Sequence, residues 1–105
     1  MTDILEKLNN ILNDRKNKSA DESYVASLYK KGLVHTCSKV EEESNELINA
    51  IQNESKQRIV SEAADLWFHS LVALSMKDLS SNDILIELEK RFGLSGHDEK
   101  NNRHS

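Results

Sequence analysis

Two groups of acids, set about one helical hairpin apart, are the residues of this chain best equipped for chemistry. The first is Glu42-Glu43-Ser44-Asn45-Glu46 and the second is Glu62-Ala63-Ala64-Asp65. Acids three positions apart lie on one face of a helix. The second pair opens the run SEAADLWFHSLVALSM, residues 61–76, in which Glu62, Asp65 and His69 are the only ionisable side chains. Like charges facing one another there repel, and burial makes the ionised form costlier still. Two unit charges about 4 Å apart interact by roughly 4 kcal/mol at an effective dielectric near 20. Acids gathered in an apolar helix need a compensating cation. A donor set made of carboxylate oxygens suits a hard ion such as Mg²⁺.

The elements that must position these acids read as helices throughout. Proline is absent, glycine occurs only at 32, 93 and 96, and β-branched runs are lacking. An all-α fold follows. Ile4, Leu5, Leu8, Ile11 and Leu12 repeat at helical spacing and predict a first helix over about 2–15. After a polar stretch from Asn17 to Glu22, Ser23 to Lys31 reads as a short helix. Gly32 stands where a helix end needs positive φ. A third helix is expected from Val34 to Gln52, with Val40, Ser44, Leu47, Ile48 and Ile51 as its buried stripe and Cys37 leading in as a small core residue. On this wheel Lys39, Glu43, Glu46 and Ala50 flank the stripe, and Glu42 points towards solvent.

Asn53 to Ser55 makes a turn, and a fourth helix runs from Lys56 to about Lys77. One of its stripes holds Arg58, Glu62, Asp65, His69 and Val72, and its other faces are almost wholly apolar. Such a helix must be covered on more than one side. A second copy of the chain, completing a four-helix core, is the simplest cover. Trp67 and Phe68 are therefore expected in the core. Ser80 or Ser81 caps a fifth helix, with Asp83 in a box-like position; Ile84, Leu85, Leu88 and Phe92 form its buried side and Gly93 ends it. The expected organisation is one helical domain over 1–93, a bundle of about five helices, followed by a polar, flexible tail over 94–105.

A short turn makes the third and fourth helices antiparallel neighbours. At about 1.5 Å of rise per residue, Glu43 and Glu46 lie as far before the turn as Glu62 and Asp65 lie after it. The four carboxylates should meet at one level and make an oxygen-rich metal site that leaves positions for water or phosphate. A cation so placed bridges phosphate oxygens and acidifies bound water, and a carboxylate not engaged with it can take the proton of the attacking water. The implied reaction is hydrolysis of a phosphoanhydride. Lys31, Lys39 and Arg58 are candidates for contacts to phosphate. Against this stands the ordinary meaning of an ExxE on a helix, a solvated acidic face. His69 could hydrogen-bond Asp65, bind substrate or serve as a satisfied core histidine; the structural role is favoured.

Composition narrows the classes. With 14 Lys plus Arg against 18 Asp plus Glu in 105 residues, the net charge is −4, unlike that of a general nucleic-acid binder. Cys37 is the single cysteine, so no internal disulfide forms, which fits a reducing compartment. The N-terminus does not read as a signal peptide, and no apolar run reaches the roughly 20 residues that span a membrane. A cytoplasmic location with no nucleic-acid or membrane partner is expected.

The run Ser23-Tyr24, Lys31-Gly32-Leu33, Lys39-Val40-Glu41-Glu42-Glu43-Ser44-Asn45-Glu46, Glu62-Ala63-Ala64-Asp65-Leu66 and His69, extended by Leu79-Ser80 and Leu88-Glu89-Lys90-Arg91-Phe92, resembles the phosphoribosyl-ATP pyrophosphatase family. That family lies within the MazG-type all-α NTP pyrophosphatases, marked by EExxE followed by ExxD. The resemblance spans Ile4 to Phe92. It implies Mg²⁺-dependent cleavage of phosphoribosyl-ATP between its α and β phosphates to phosphoribosyl-AMP and pyrophosphate, the second step of histidine biosynthesis, by a homodimer. It maps Glu42, Glu43, Glu46, Glu62 and Asp65 onto the metal and catalytic acids. Glu43, Glu46, Glu62 and Asp65 are the expected ligands, with Glu42 a further ligand or the group that orients water. Glu41 and Ser44 depart from the common Gly and Ala of the family, and Glu41 is expected to be exposed. Members are often fused to a cyclohydrolase domain, for which this chain is expected to have no room, so it should carry out only the one step. Two other functions fit the same residues: a house-cleaning (d)NTP pyrophosphatase of the same superfamily, and a non-catalytic helical dimerisation module.

Overall fold

The computed structural model describes residues 3–19 and 23–93, and they form five helices with no strand among them. The order is α1 (Asp3–Arg15), α2 (Tyr24–Lys31), α3 (Leu33–Asn53), α4 (Lys56–Ser75) and α5 (Ser81–Phe92). The expected tail over 94–105 lies outside the described residues. The helix limits follow from local chemistry. The Ser23 hydroxyl accepts from the Ala26 amide at the start of α2, and Ser55 accepts from Arg58 at the start of α4. Ser80 and Asp83 form a complete capping box on α5. Gly32 separates α2 from α3 at φ 96° and ψ 179°, a conformation reserved for glycine.

Glu54 and Ser55 alone separate α3 from α4, so the two long helices fold back on each other as the main pair of the molecule. The apolar core lies towards the C-terminal half of α4, where Leu71 and Val72 meet Leu12 of α1 and Val25 and Leu28 of α2. Leu28 and Val72 are fully buried; burying one such side chain stabilises by about 1.5–3 kcal/mol. Two tyrosines tie α2 to α4. The Tyr24 hydroxyl meets His69 Nε2, and the Tyr29 hydroxyl meets Ser75 Oγ. Ser75 gives its own proton to the Val72 carbonyl, so Tyr29 is the donor.

Three expectations about faces are corrected. On α3 the buried residues are Thr36, Glu43 and Ala50, two turns apart. The supposed core stripe is displaced: Val40, Ser44 and Leu47 are half-buried, while Cys37, Ile48 and Ile51 are exposed. The side of α3 that meets α2 and α4 carries small and polar residues, and the more apolar side looks outward. On α4, Phe68 packs on the core, but Trp67 is 62% exposed. On α5, Ile84, Leu85, Leu88 and Phe92 are exposed, and Ser81 is the buried residue. α5 rests chiefly on α1, where Asn9 Nδ2 donates to Ser81 Oγ at 3.0 Å. Among the described residues no other helix covers the apolar side of α5.

Candidate metal centre

The α3–α4 hairpin brings Glu43, Glu62 and Asp65 together, with one carboxylate oxygen of each within 4.8 Å of the others. Glu43 comes from the middle of α3, and Glu62 and Asp65 from successive turns of α4. Glu43 is 8% exposed and Glu62 7%, whereas Asp65 opens to solvent. Glu43 Oε2 is buried and has no hydrogen-bond partner. A carboxylate oxygen in that position carries a full desolvation cost with nothing offsetting it.

Burial pushes the Glu43 carboxyl up from its ordinary range. Glu46 adds to this, both as acceptor for a protonated Glu43 and by its charge, and so does the charge of Asp65; His69 opposes them. Glu62 is raised first by burial, then by its relation to Asp65 and by the charge of Glu46, with Arg58 opposing. Both groups thus hold protons more tightly than free glutamate, as expected of anions crowded without a counter-charge.

The remaining residues fall around this core. Glu46 is exposed on α3 but within electrostatic reach of both Glu43 and Glu62. Glu42 turns away and is exposed; its Oε2 lies 3.3 Å from Lys39 Nζ. That carboxylate raises the Lys39 ammonium above its ordinary value. Arg58 donates from its guanidinium to Glu62 Oε2 at 2.9 Å and from Nε to Glu54 Oε1 at 3.1 Å, which holds it more firmly protonated. Lys31 is exposed in the last turn of α2. Glu41 is exposed, as expected.

His69 is buried and satisfied, as the structural reading holds. Its Nδ1 lies 2.8 Å from the Asp65 main-chain carbonyl and its Nε2 2.9 Å from the Tyr24 hydroxyl. The partner on Asp65 is therefore the backbone, not the carboxylate. Tyr24 was not singled out by spacing, because its contact with His69 spans 45 positions. Its only sequence signal was the Ser23-Tyr24 pair.

The donor set fits a hard divalent cation: three carboxylates converge, and one buried oxygen has no other partner. Fold and cluster together define an all-α protein with a carboxylate centre in a helical hairpin. The comparisons are specific within that class. The phosphoribosyl-ATP pyrophosphohydrolase family matches residues 5–92. A phosphoribosyl-ATP pyrophosphatase of Hydrogenovibrio crunogenus is 52% identical, covering 96% of this chain and 93% of its own. Proteins of the same name from Vesicomyosocius okutanii and Ruthia magnifica are 50% and 48% identical over the whole of both chains. The chain belongs to the phosphoribosyl-ATP pyrophosphohydrolase family.

Proposed function

We propose that this protein is an Mg²⁺-dependent homodimeric enzyme that hydrolyses the α–β phosphoanhydride of phosphoribosyl-ATP to phosphoribosyl-AMP and pyrophosphate, the second step of histidine biosynthesis. Family membership supports the reaction. The observation that carries the site is the buried, unpartnered Oε2 of Glu43 facing Glu62 and Asp65. Glu43, Glu46, Glu62 and Asp65 would hold the cation. When bound it supplies charge neutralisation for phosphate oxygens and lowers the pKa of water.

This chain's residues do the rest. Water adds to one phosphorus of the α–β bridge, the bridging P–O bond on that phosphorus breaks, the bridging oxygen leaves with the other phosphorus, and the products are phosphoribosyl-AMP and pyrophosphate. Glu42, exposed and outside the converging ligand set, gives up its ion pair with Lys39 to orient the attacking water and take its proton. Lys39, Lys31 and Arg58 bind phosphate oxygens. Asp65, the exposed member of the cluster, faces the side from which substrate enters.

The homodimer is supported by apolar side chains left uncovered on α3, α4 and α5, Ile48, Trp67 and Leu85 among them. A cytoplasmic location is in keeping with the reaction, and among the described residues no helix is long and apolar enough to cross a membrane. Pyrophosphate release is to be measured with phosphoribosyl-ATP and with each dNTP. The expected result is turnover of phosphoribosyl-ATP at much the higher kcat/KM, and a preference for dNTPs overturns the substrate assignment.

A further inference from the structure

We propose that Tyr24 and His69 are a positioning pair that ties α2 to α4 beside the acidic centre and acts through Asp65; the proposal rests on the reading of the site as a metal centre. The contact with Asp65 fixes the direction of the first hydrogen bond, and for a neutral ring the direction of the second follows. A main-chain carbonyl only accepts, so His69 Nδ1 carries the proton that goes to Asp65. In the neutral ring Nε2 is then a bare acceptor, and the Tyr24 hydroxyl is its donor. The imidazole sits 6% exposed with both nitrogens engaged, so it has one orientation only.

Aromatic contacts lock the same geometry. The Tyr24 ring stacks on Phe68 at 6.2 Å between centroids, and both rings meet His69 edge-on, at 5.7 Å and 5.1 Å. The Tyr24 hydroxyl is within electrostatic reach of the Lys39 ammonium, and the His69 ring is within reach of Glu43. At one end the pair holds the backbone of the residue that presents the open carboxylate. At the other it fastens α2 to the same turn of α4 through the Tyr24 hydroxyl. Carboxylates that share a cation need a fixed spacing, and a displacement of about 1 Å in a reacting constellation can cost about 100-fold in rate.

The molecule supplies its own control. Tyr29 makes the second tie from α2 to α4, to Ser75 in the apolar core, away from the acids. Tyr24→Phe and Tyr29→Phe each delete one hydroxyl from the same helix. Tyr24→Phe is expected to lower kcat about tenfold with KM within about twofold, and to shrink the rise in Tm that Mg²⁺ produces. Tyr29→Phe should lower Tm at least as much, yet keep kcat and the Mg²⁺ response. Nitrogen NMR of the metal-free wild type should show His69 protonated at Nδ1 and bare at Nε2, with the Nε2 signal moved by Tyr24→Phe and assigned by its loss in His69→Asn. Equal Mg²⁺ responses in the two tyrosine variants, or a His69 protonated at Nε2 alone, overturn the pair. A wild type whose Tm ignores Mg²⁺ overturns the metal centre itself, and the pair's role with it. Should His69→Asn fail to fold, the tyrosine variants still decide.

Discussion

At the scale of single residues the centre is an arrangement of anions held at a cost. Glu43 and Glu62 bind protons more readily in the folded chain than in the unfolded one. The sign of the consequence follows from linkage. Where the folded state binds more protons, stability rises as pH falls. Without metal, Tm should therefore increase on acidification from neutrality into the window between the raised values and the ordinary glutamate range, and this contribution levels off below that range. Mg²⁺ needs the same carboxylates ionised, so its stabilising effect should fade in the same window; thermal melts with Mg²⁺ and with EDTA across pH test both signs. Glu43→Gln removes a buried charge and leaves a side chain of the same shape. It should stabilise the metal-free protein by on the order of 1 kcal/mol, erase the Mg²⁺-dependent gain in Tm and reduce kcat by about 100-fold or more. A variant that gains nothing in EDTA and still responds to Mg²⁺ contradicts the account. The acids themselves were legible, since Glu62 and Asp65 interrupt an otherwise apolar run at helical spacing. That Glu43 sits on the buried face was not. A helical wheel shows two adjacent stripes on α3 and does not say which meets the neighbouring helices of the same chain.

At the scale of elements, helix limits were readable because their signals are local. Ser23, Gly32, Ser80 and Gly93 each stand where a cap belongs, and the structure uses all four. The sharpest consequence concerns Gly32. It lies at positive φ with fully extended ψ, and nothing stands within 4 Å of the position a Cβ would take. Gly32→Ala therefore meets no clash, only backbone strain, which for a residue held in such a region costs about 1–3 kcal/mol. The expected outcome is a lower Tm by chemical or thermal unfolding. An additional fall in kcat is expected because this joint sets how α2, and Tyr24 with it, lies over α3. Unchanged stability would mean that the chain relaxes the joint at no cost. What the chain did not reveal at this scale is the covering of α5. Its apolar residues repeat faultlessly, but periodicity states only that a helix has an apolar side, and here α1 reaches only part of it.

At the scale of the whole molecule, the misplaced faces have a common cause. Ile48 and Ile51 on α3, Trp67 on α4 and Leu85 and Leu88 on α5 all carry core-like chemistry and all remain exposed on a single chain. An all-α chain of 105 residues has few helices to spare for covering two long ones. Trp67, Leu85 and Leu88 line one apolar groove, and a large exposed apolar patch marks an interface in soluble proteins. Trp67 is the most diagnostic of these residues, since it is large, 62% exposed, and borders an apolar groove shared with Leu5, Leu66, Ile84 and Leu88. Burying a large apolar side chain of this kind contributes about 1.5–3 kcal/mol, and two-fold symmetry would count it twice. Light scattering should give the wild type twice its 12.0 kDa chain mass. Trp67→Glu should shift that mass to a monomer at micromolar concentration and make Tm lower and independent of protein concentration. Because the acids lie within one hairpin, the monomer should keep a measurable, weaker response to Mg²⁺. A wild type that remains monomeric at high concentration would leave those apolar faces without a cover of the same chain and would refute the dimer.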